Sequence, residues 1–196
     1  VSCHFFIKSN GAIITLVPEL YVSWHAGISS WQKYRSINKY SIGIEISNPG
    51  HENNYRKFSK KQIHSLIKLT QYLVQKFKIK SRSILGHSDI APDRKLDPGE
   101  KFPWAFLSKN KIGIWHDLKQ NKIKKERGLK ISNKLELKFI NNLLKIGYPR
   151  NSKINKIKYN KIITFAFQRR FRQELVNGKI DKECLILSEN LTKKYN

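Results

Sequence analysis

The 196-residue sequence has no methionine, even at position 1, only two cysteines and six prolines, and 14 acidic residues against 39 lysines and arginines. Each scarcity excludes something. Without an initiating Met the chain is expected to begin short of its parent's start, and it carries no signal-peptide pattern of its own. Cys3 and Cys184 lie near opposite ends, which argues against a disulfide framework or a Cys-based metal cluster and for two ordinary core thiols. No stretch reaches the roughly 20 apolar residues of a membrane helix. The shortage of acid leaves a formal charge of +25, which predicts an anionic partner: nucleic acid, lipid or a wall polymer. Abundant Lys, Ile and Asn are also what AT-rich coding produces, so charge alone does not choose. Helix-turn-helix, zinc-finger and RNP signatures are missing, and nucleic acid is not the expected partner.

What is present suits a folded protein. With 39% hydrophobic and 11% aromatic residues, the chain can fill one core domain and a small accessory module. His4–Ile7 and Ala12–Val17 flank Ser9-Asn10-Gly11 and predict a β-hairpin. In Ser41–Ile46 the alternation puts Ile42, Ile44 and Ile46 on one strand face and Gly43 and Glu45 on the other, so one carboxylate points away from the apolar side. Ser59 and Gln62 have capping-box spacing, and Ile63, Leu66, Ile67, Thr70, Leu73, Val74 and Phe77 continue with helical period, predicting a helix that covers the sheet. Ser83-Ile84-Leu85 predicts a short buried strand that feeds a Pro- and Gly-punctuated loop from Gly86 to Gly99.

Residues 119–130, rich in Lys, Asn and Gln, are expected to form a linker between a first domain at 1–118 and a helical unit at 131–196. Three amphipathic segments predict a small bundle there. One starts at Asn133 and ends at Gly147-Tyr148-Pro149, one runs from Ile162 to Phe171, and one is capped by Asp181.

The residues most suited to chemistry sit in the 86–99 loop. His87 and Asp97 are ten positions apart with Lys95 between them, and a folded loop could bring an imidazole and a carboxylate to one point. Both are acceptable Zn²⁺ ligands, but a zinc hydrolase takes three protein ligands and leaves one position open for water. A third donor is therefore required. Loop capping by His87, a solvated strand face for Glu45 and a surface role for Lys95 are the plainer readings of the same residues.

Taken together, Val1-Ser2-Cys3-His4-Phe5, Trp24-His25-Ala26-Gly27, Ser41-Ile42-Gly43-Ile44-Glu45, the string Gly86-His87-Ser88-Asp89-Ile90-Ala91-Pro92-Asp93-Arg94-Lys95-Leu96-Asp97-Pro98-Gly99 and Phe102-Pro103-Trp104 resemble the zinc-dependent N-acetylmuramoyl-L-alanine amidases of the Amidase_2 type, relatives of peptidoglycan recognition proteins. Gly147-Tyr148-Pro149, Ala166–Arg172 and Val176–Asp181 resemble the three-helix peptidoglycan-binding domain of the family's two-domain branch. The resemblance implies an α/β fold, a mixed central sheet flanked by helices, followed by the small bundle. It implies one Zn²⁺ per catalytic domain held by His87 and Asp97, with Glu45 as general base and Lys95 stabilising the transition state. Trp24 and His25 would line the substrate groove, or form a packed structural pair. Arg169, Arg170 and Arg172 would meet glycan-peptide carboxylates, or form a solvated helix face.

In this family the remaining ligand is a His on a first strand, expected upstream of Val1; the family places His4 and His25 near the substrate cleft without making them ligands, and their substitution for it is the lesser expectation. As it stands the chain is expected to hold zinc weakly and to show little activity, and its parent to be active. The implied partner is peptidoglycan or muropeptide, the implied state a monomer, and the implied location secreted or periplasmic in the bacterial envelope. A non-catalytic peptidoglycan-binding protein with an incomplete metal site is the alternative.

Overall fold

The computed structural model describes residues 2–195; Val1, the first residue of the N-terminal motif, and Asn196 lie outside them. Contacts divide the chain into two compact units, Val1–Ser30 with Tyr34–Leu85 and Lys101–Ile114, and Trp31–Lys33 with Gly86–Glu100 and Trp115–Asn196.

The first unit is built on a three-stranded mixed sheet in the order β2-β1-β5. Strands β1 (Phe5–Ile7) and β2 (Ile13–Thr15) form the expected antiparallel hairpin, with Phe6 opposite Ile14. Its turn uses Gly11 at φ 88°, and Asn10 Oδ1 accepts from the Ala12 N–H at 3.0 Å. Two short strands, β3 (Ser30–Trp31) and β4 (Tyr34–Arg35), form a separate ladder. Strand β5 (Ile44–Ile46) runs parallel to β1 and sets Glu45 beside Phe6, on the face opposite Ile44 and Ile46. Both faces of β5 are half-buried, so the alternation does not separate core from solvent.

Helix α1 (Lys60–Phe77) starts at a complete capping box. The Ser59 hydroxyl accepts from the Gln62 N–H at 3.1 Å and Gln62 Oε1 accepts from the Ser59 N–H at 2.9 Å. Its buried stripe is Ile63, Leu66, Leu69, Thr70 and Leu73, and it packs on β1. Gln62 also reaches the β5 exit, donating to the Ser47 carbonyl at 2.6 Å.

The strand expected at Ser83-Ile84-Leu85 does not form. Residues Ser81–Ser83 make a 3₁₀ turn, in which the Ile84 N–H donates to the Ser81 carbonyl. The Ser83 and Ile84 N–H groups are spent on the Lys80 and Ser81 carbonyls within that turn, and among the described residues the run pairs with no strand.

In the second unit, α2 (His87–Ile90) is a single turn that opens the 86–99 loop; α3 (Trp104–Lys109), in the first unit, follows that loop in sequence. Residues 119–130, expected as a linker, are folded: α4 (Gln120–Ile123) continues into a 3₁₀ turn at Lys124–Glu126, Ile123 is buried, and Arg127 is held by Glu183 and Glu174. Spacing alone misses this segment because its partners lie about 50 residues away. Three longer helices follow as expected, α5 (Asn133–Ile146), α6 (Lys156–Phe171) and α7 (Lys182–Tyr195).

Phe139, Leu143, Ile163, Phe167, Leu187 and Leu191 form the core of this unit, with Phe139 and Phe167 edge to face at 5.2 Å. Helix α6 begins six residues earlier than the apolar pattern shows, because Asn155 caps the Ile157 and Lys158 N–H groups. Both cysteines are free and buried, as expected, and burial pushes the Cys184 thiol up to about 12.

His116, also in this unit, carries a pH dependence. Burial, only partly offset by Asp117, pushes its imidazole down to about 4 from 6.5. The unfolded chain therefore binds this proton more readily, so stability is intact above pH 6.5 and falls as pH drops from about 6.5 toward 4. The expected loss is on the order of 2 kcal/mol. Urea titrations at pH 7.5 and 4.5 should show a smaller pH difference in His116→Leu than in the natural sequence.

Candidate functional site

The 86–99 loop closes on itself through backbone and side chain together. The Ser88 N–H donates to the Asp97 carbonyl at 2.9 Å, and the Arg94 and Lys95 N–H groups both donate to the Ala91 carbonyl. This closure brings His87 Nδ1 to 3.1 Å from Asp97 Oδ2. Ligand atoms on one tetrahedral ion with bonds of about 2.0 Å are about 3.3 Å apart, so the pair suits a shared metal ion. His87 is half-buried and Asp97 exposed. Burial acts to raise the Asp97 carboxyl, but the His87 hydrogen bond and charge, with Lys95 behind them, outweigh it and hold the group below its ordinary value. Lys95 is half-buried, two residues before Asp97, and its backbone is pinned at Ala91. Among the described residues no third His, Cys, Asp or Glu joins the two donors.

His4 and His25, the possible substitutes, are committed elsewhere. His4 Nδ1 accepts from the Gly43 N–H at 3.0 Å and contacts the Ser23 hydroxyl at 2.8 Å, while Nε2 donates to the Tyr21 carbonyl at 2.9 Å. His25 bonds Ser23 through Nδ1 at 2.8 Å and Ser41 through Nε2 at 2.9 Å. Hydrogen-bond partners thus occupy both nitrogens of each ring, and the two rings meet edge to face at 5.4 Å. Trp24 is not packed with them: it is 69% exposed, which removes the structural-pair reading for its ring.

Gly43 explains how His25 is seated. A Cβ built there would lie 2.3 Å from His25 Cγ, so only glycine lets the ring rest on the strand backbone. Gly43→Ala is expected to displace His25 and to destabilise by about 1–3 kcal/mol through overpacking. A urea midpoint combined with the loss of the His25 ring resonance in ¹H–¹⁵N spectra checks this. Glu45, two residues further on, is half-buried. Burial, and then the Glu45 charge, raise the Cys3 thiol.

Sequence reasoning passed over one group altogether. Asp89, 1% exposed, accepts from the Gly86 N–H at 2.8 Å and the Tyr148 hydroxyl at 2.8 Å and pairs with Arg170. Burial, followed by the Asp89 charge, lifts the Tyr148 phenol well above its ordinary value, so it serves as a donor. The local signal was the Gly86-to-Asp89 spacing of a helix start. Arg170 and Arg172 are 3% and 2% exposed and ion-paired, so neither forms a solvated face or reaches for a glycan peptide.

Residues 1–100 match the family described as N-acetylmuramoyl-L-alanine amidase. The chain is 34% identical to the N-acetylmuramoyl-L-alanine amidase AmiD of Escherichia coli K12 over 212 residues, covering all of this chain and 75% of AmiD. It is 37% identical to the E. coli 1,6-anhydro-N-acetylmuramyl-L-alanine amidase AmpD over 105 residues, 54% of this chain and 55% of AmpD. Among solved structures, E. coli AmiD complexed with anhydro-N-acetylmuramic acid-L-Ala-D-γ-Glu-L-Lys matches at a TM-score of 0.87 and 31% identity, covering 100% of this chain and 80% of that one. AmpDh3 of Pseudomonas aeruginosa, complexed with anhydromuramic pentapeptide, matches at 0.85 and 28%, covering 99% and 82%. On this evidence the chain belongs to the N-acetylmuramoyl-L-alanine amidase family.

Proposed function

We propose that this chain hydrolyses the amide between the N-acetylmuramoyl lactyl group and L-alanine in peptidoglycan or muropeptides, and that it does so with zinc. The observation that carries the reading is the His87–Asp97 pair, two donors of the right chemistry held 3.1 Å apart by a self-closed loop. Zinc bound there would lower the pKa of its water to about 7 and polarise the scissile carbonyl. His87 and Asp97 would hold the ion, and the Glu45 carboxylate would take a proton from the attacking water and return it to the leaving L-alanine amine. Lys95, on its pinned backbone, offers the Nζ charge to the developing oxyanion. Trp24, exposed, and His25, held by Ser23 and Ser41, contribute to the substrate groove.

In the same reading residues 1–118 carry catalysis and the helical unit at 131–196 binds the wall polymer, whose negative charge suits the +25 of the chain. The protein acts as a monomer in the bacterial envelope. No helix among the described residues is long and apolar enough to cross a membrane.

The test is to load the chain with Zn²⁺, incubate it with anhydromuropeptide and with digested peptidoglycan, and analyse the products by mass spectrometry. Free peptides beginning with L-alanine, lost on chelation, are expected. Tight binding of muropeptide without release would favour the non-catalytic alternative, the reading consistent with a two-donor site.

A further inference from the structure

We propose that Tyr148 and Arg170, in the helical C-terminal part of the chain, are positioning residues for His87 and act through Asp89. The proposal rests on the amidase reading in taking His87 as a metal ligand.

Helix α2 is one turn long, too short to hold its own orientation. His87 is its half-buried first residue, while Ser88, Asp89 and Ile90 are buried. The direction of His87 therefore depends on what grips the buried side. Asp89 is that grip. Its Oδ2 accepts from the Gly86 N–H, which fixes the start of the turn, and from Arg170 Nη1 near the end of α6; its Oδ1 accepts from the Tyr148 hydroxyl just after α5. A carboxylate this deeply buried is tolerable only when paired and hydrogen-bonded.

The donors are in turn held in place. Tyr148 is 3% exposed, stacks edge to face on Trp31 at 5.2 Å, and follows Gly147, where a Cβ would strike the Trp31 ring at 2.6 Å. A second tie runs from Asn151 Nδ2 to Asp93 Oδ2 at 3.1 Å, farther along the same loop. With Arg170 removed, Asp89 must turn toward water, and the turn that carries His87 moves with it and away from Asp97.

The experiment uses the full chain as Arg170→Gln, Arg170→Lys and Tyr148→Phe. Circular dichroism and urea midpoints report folding, ¹H–¹⁵N ring spectra report His87, assigned with His87→Asn, and chelator competition reports zinc affinity. Arg170→Gln is expected to shift the His87 ring resonances, leave the His4 and His64 resonances in place, and weaken zinc binding about tenfold. Arg170→Lys should recover part of that loss, and Tyr148→Phe should show a smaller shift of the same kind. In a His87→Ala background Arg170→Gln should weaken zinc no further. If folded Arg170→Gln keeps wild-type His87 resonances and zinc affinity, the proposal is wrong. If Arg170→Gln does not fold, Tyr148→Phe, which keeps the charge pair, decides by the same two readouts. Failure of the wild-type chain to bind zinc or release peptide would overturn the amidase reading, and the His87 ring spectra would still decide the positioning role.

Discussion

Glu45→Ala is expected to lower the release of L-alanine-headed peptides from muropeptide by about 10²–10⁴-fold, the usual worth of a positioned general base. Zinc content and urea midpoint should stay at wild-type values. Among the described residues no ion pair or side-chain hydrogen bond ties the Glu45 carboxylate into the fold, and its neighbours Ile44 and Ile46 point to the other face of the sheet, so its loss removes little packing. Glu45→Gln keeps the shape and the hydrogen-bonding ability but cannot accept a proton, and it should fall as far as Glu45→Ala. Loss of zinc in either variant would make Glu45 a ligand rather than a base, and unchanged peptide release would remove it from catalysis altogether.

The hairpin, α1 and the three C-terminal helices can be read from sequence because their signals are local: Asn10-Gly11 in the turn, Ser59 with Gln62 at a helix start, Gly147 and Asp181 at helix ends. Features that depend on partners distant in sequence do not show in spacing. Ile84 and Leu85 have the composition of a strand but no ladder among the described residues. Lys124 and Arg127 look like linker charges until Glu174 and Glu183 arrive from about 50 residues on. His4 presents a possible donor in sequence and is spent in the structure on Gly43, Ser23 and Tyr21.

The candidate site divides in the same way. Spacing alone allows a folded loop to bring His87 and Asp97 together across ten residues, and the family resemblance of the whole string implies that they share a metal. The structure adds the reason in the Ser88-to-Asp97 and Lys95-to-Ala91 backbone bonds, which no composition or periodicity encodes. The grip on Asp89 is non-local in the extreme, since Arg170 stands 81 residues away.

Arg172→Ala should be the most destabilising of the arginine substitutions on the C-terminal segment after that at Arg170, at about 3–5 kcal/mol, with a fall in melting temperature of about 10 °C. Its guanidinium is fully buried, pairs with Asp181, donates from Nη2 to Asn177 Oδ1 at 2.9 Å and from Nε to the Leu175 carbonyl at 3.0 Å, and stands 3.8 Å from Glu183. Asp181 does further work: Oδ1 caps α7 at the Cys184 N–H, and Oδ2 accepts from the Gly128 N–H at 3.0 Å. Arg127 already engages Glu183 at 2.6 Å and Glu174 at 3.0 Å, so removing Arg172 leaves two buried carboxylates to one guanidinium. The cost comes from the orphaned charge rather than from the lost pair. Arg172→Met with Asp181→Asn should therefore be more stable than Arg172→Ala alone, since Asn keeps the cap and Met fills the space without leaving a buried anion. Arg169→Ala, which removes a guanidinium lying over the Phe165 ring at 5.5 Å, is expected to cost only about 0.5–1 kcal/mol. Urea denaturation of the four proteins separates these cases, and equal midpoints for Arg169→Ala and Arg172→Ala would show that the buried cluster carries no more stability than a surface cation.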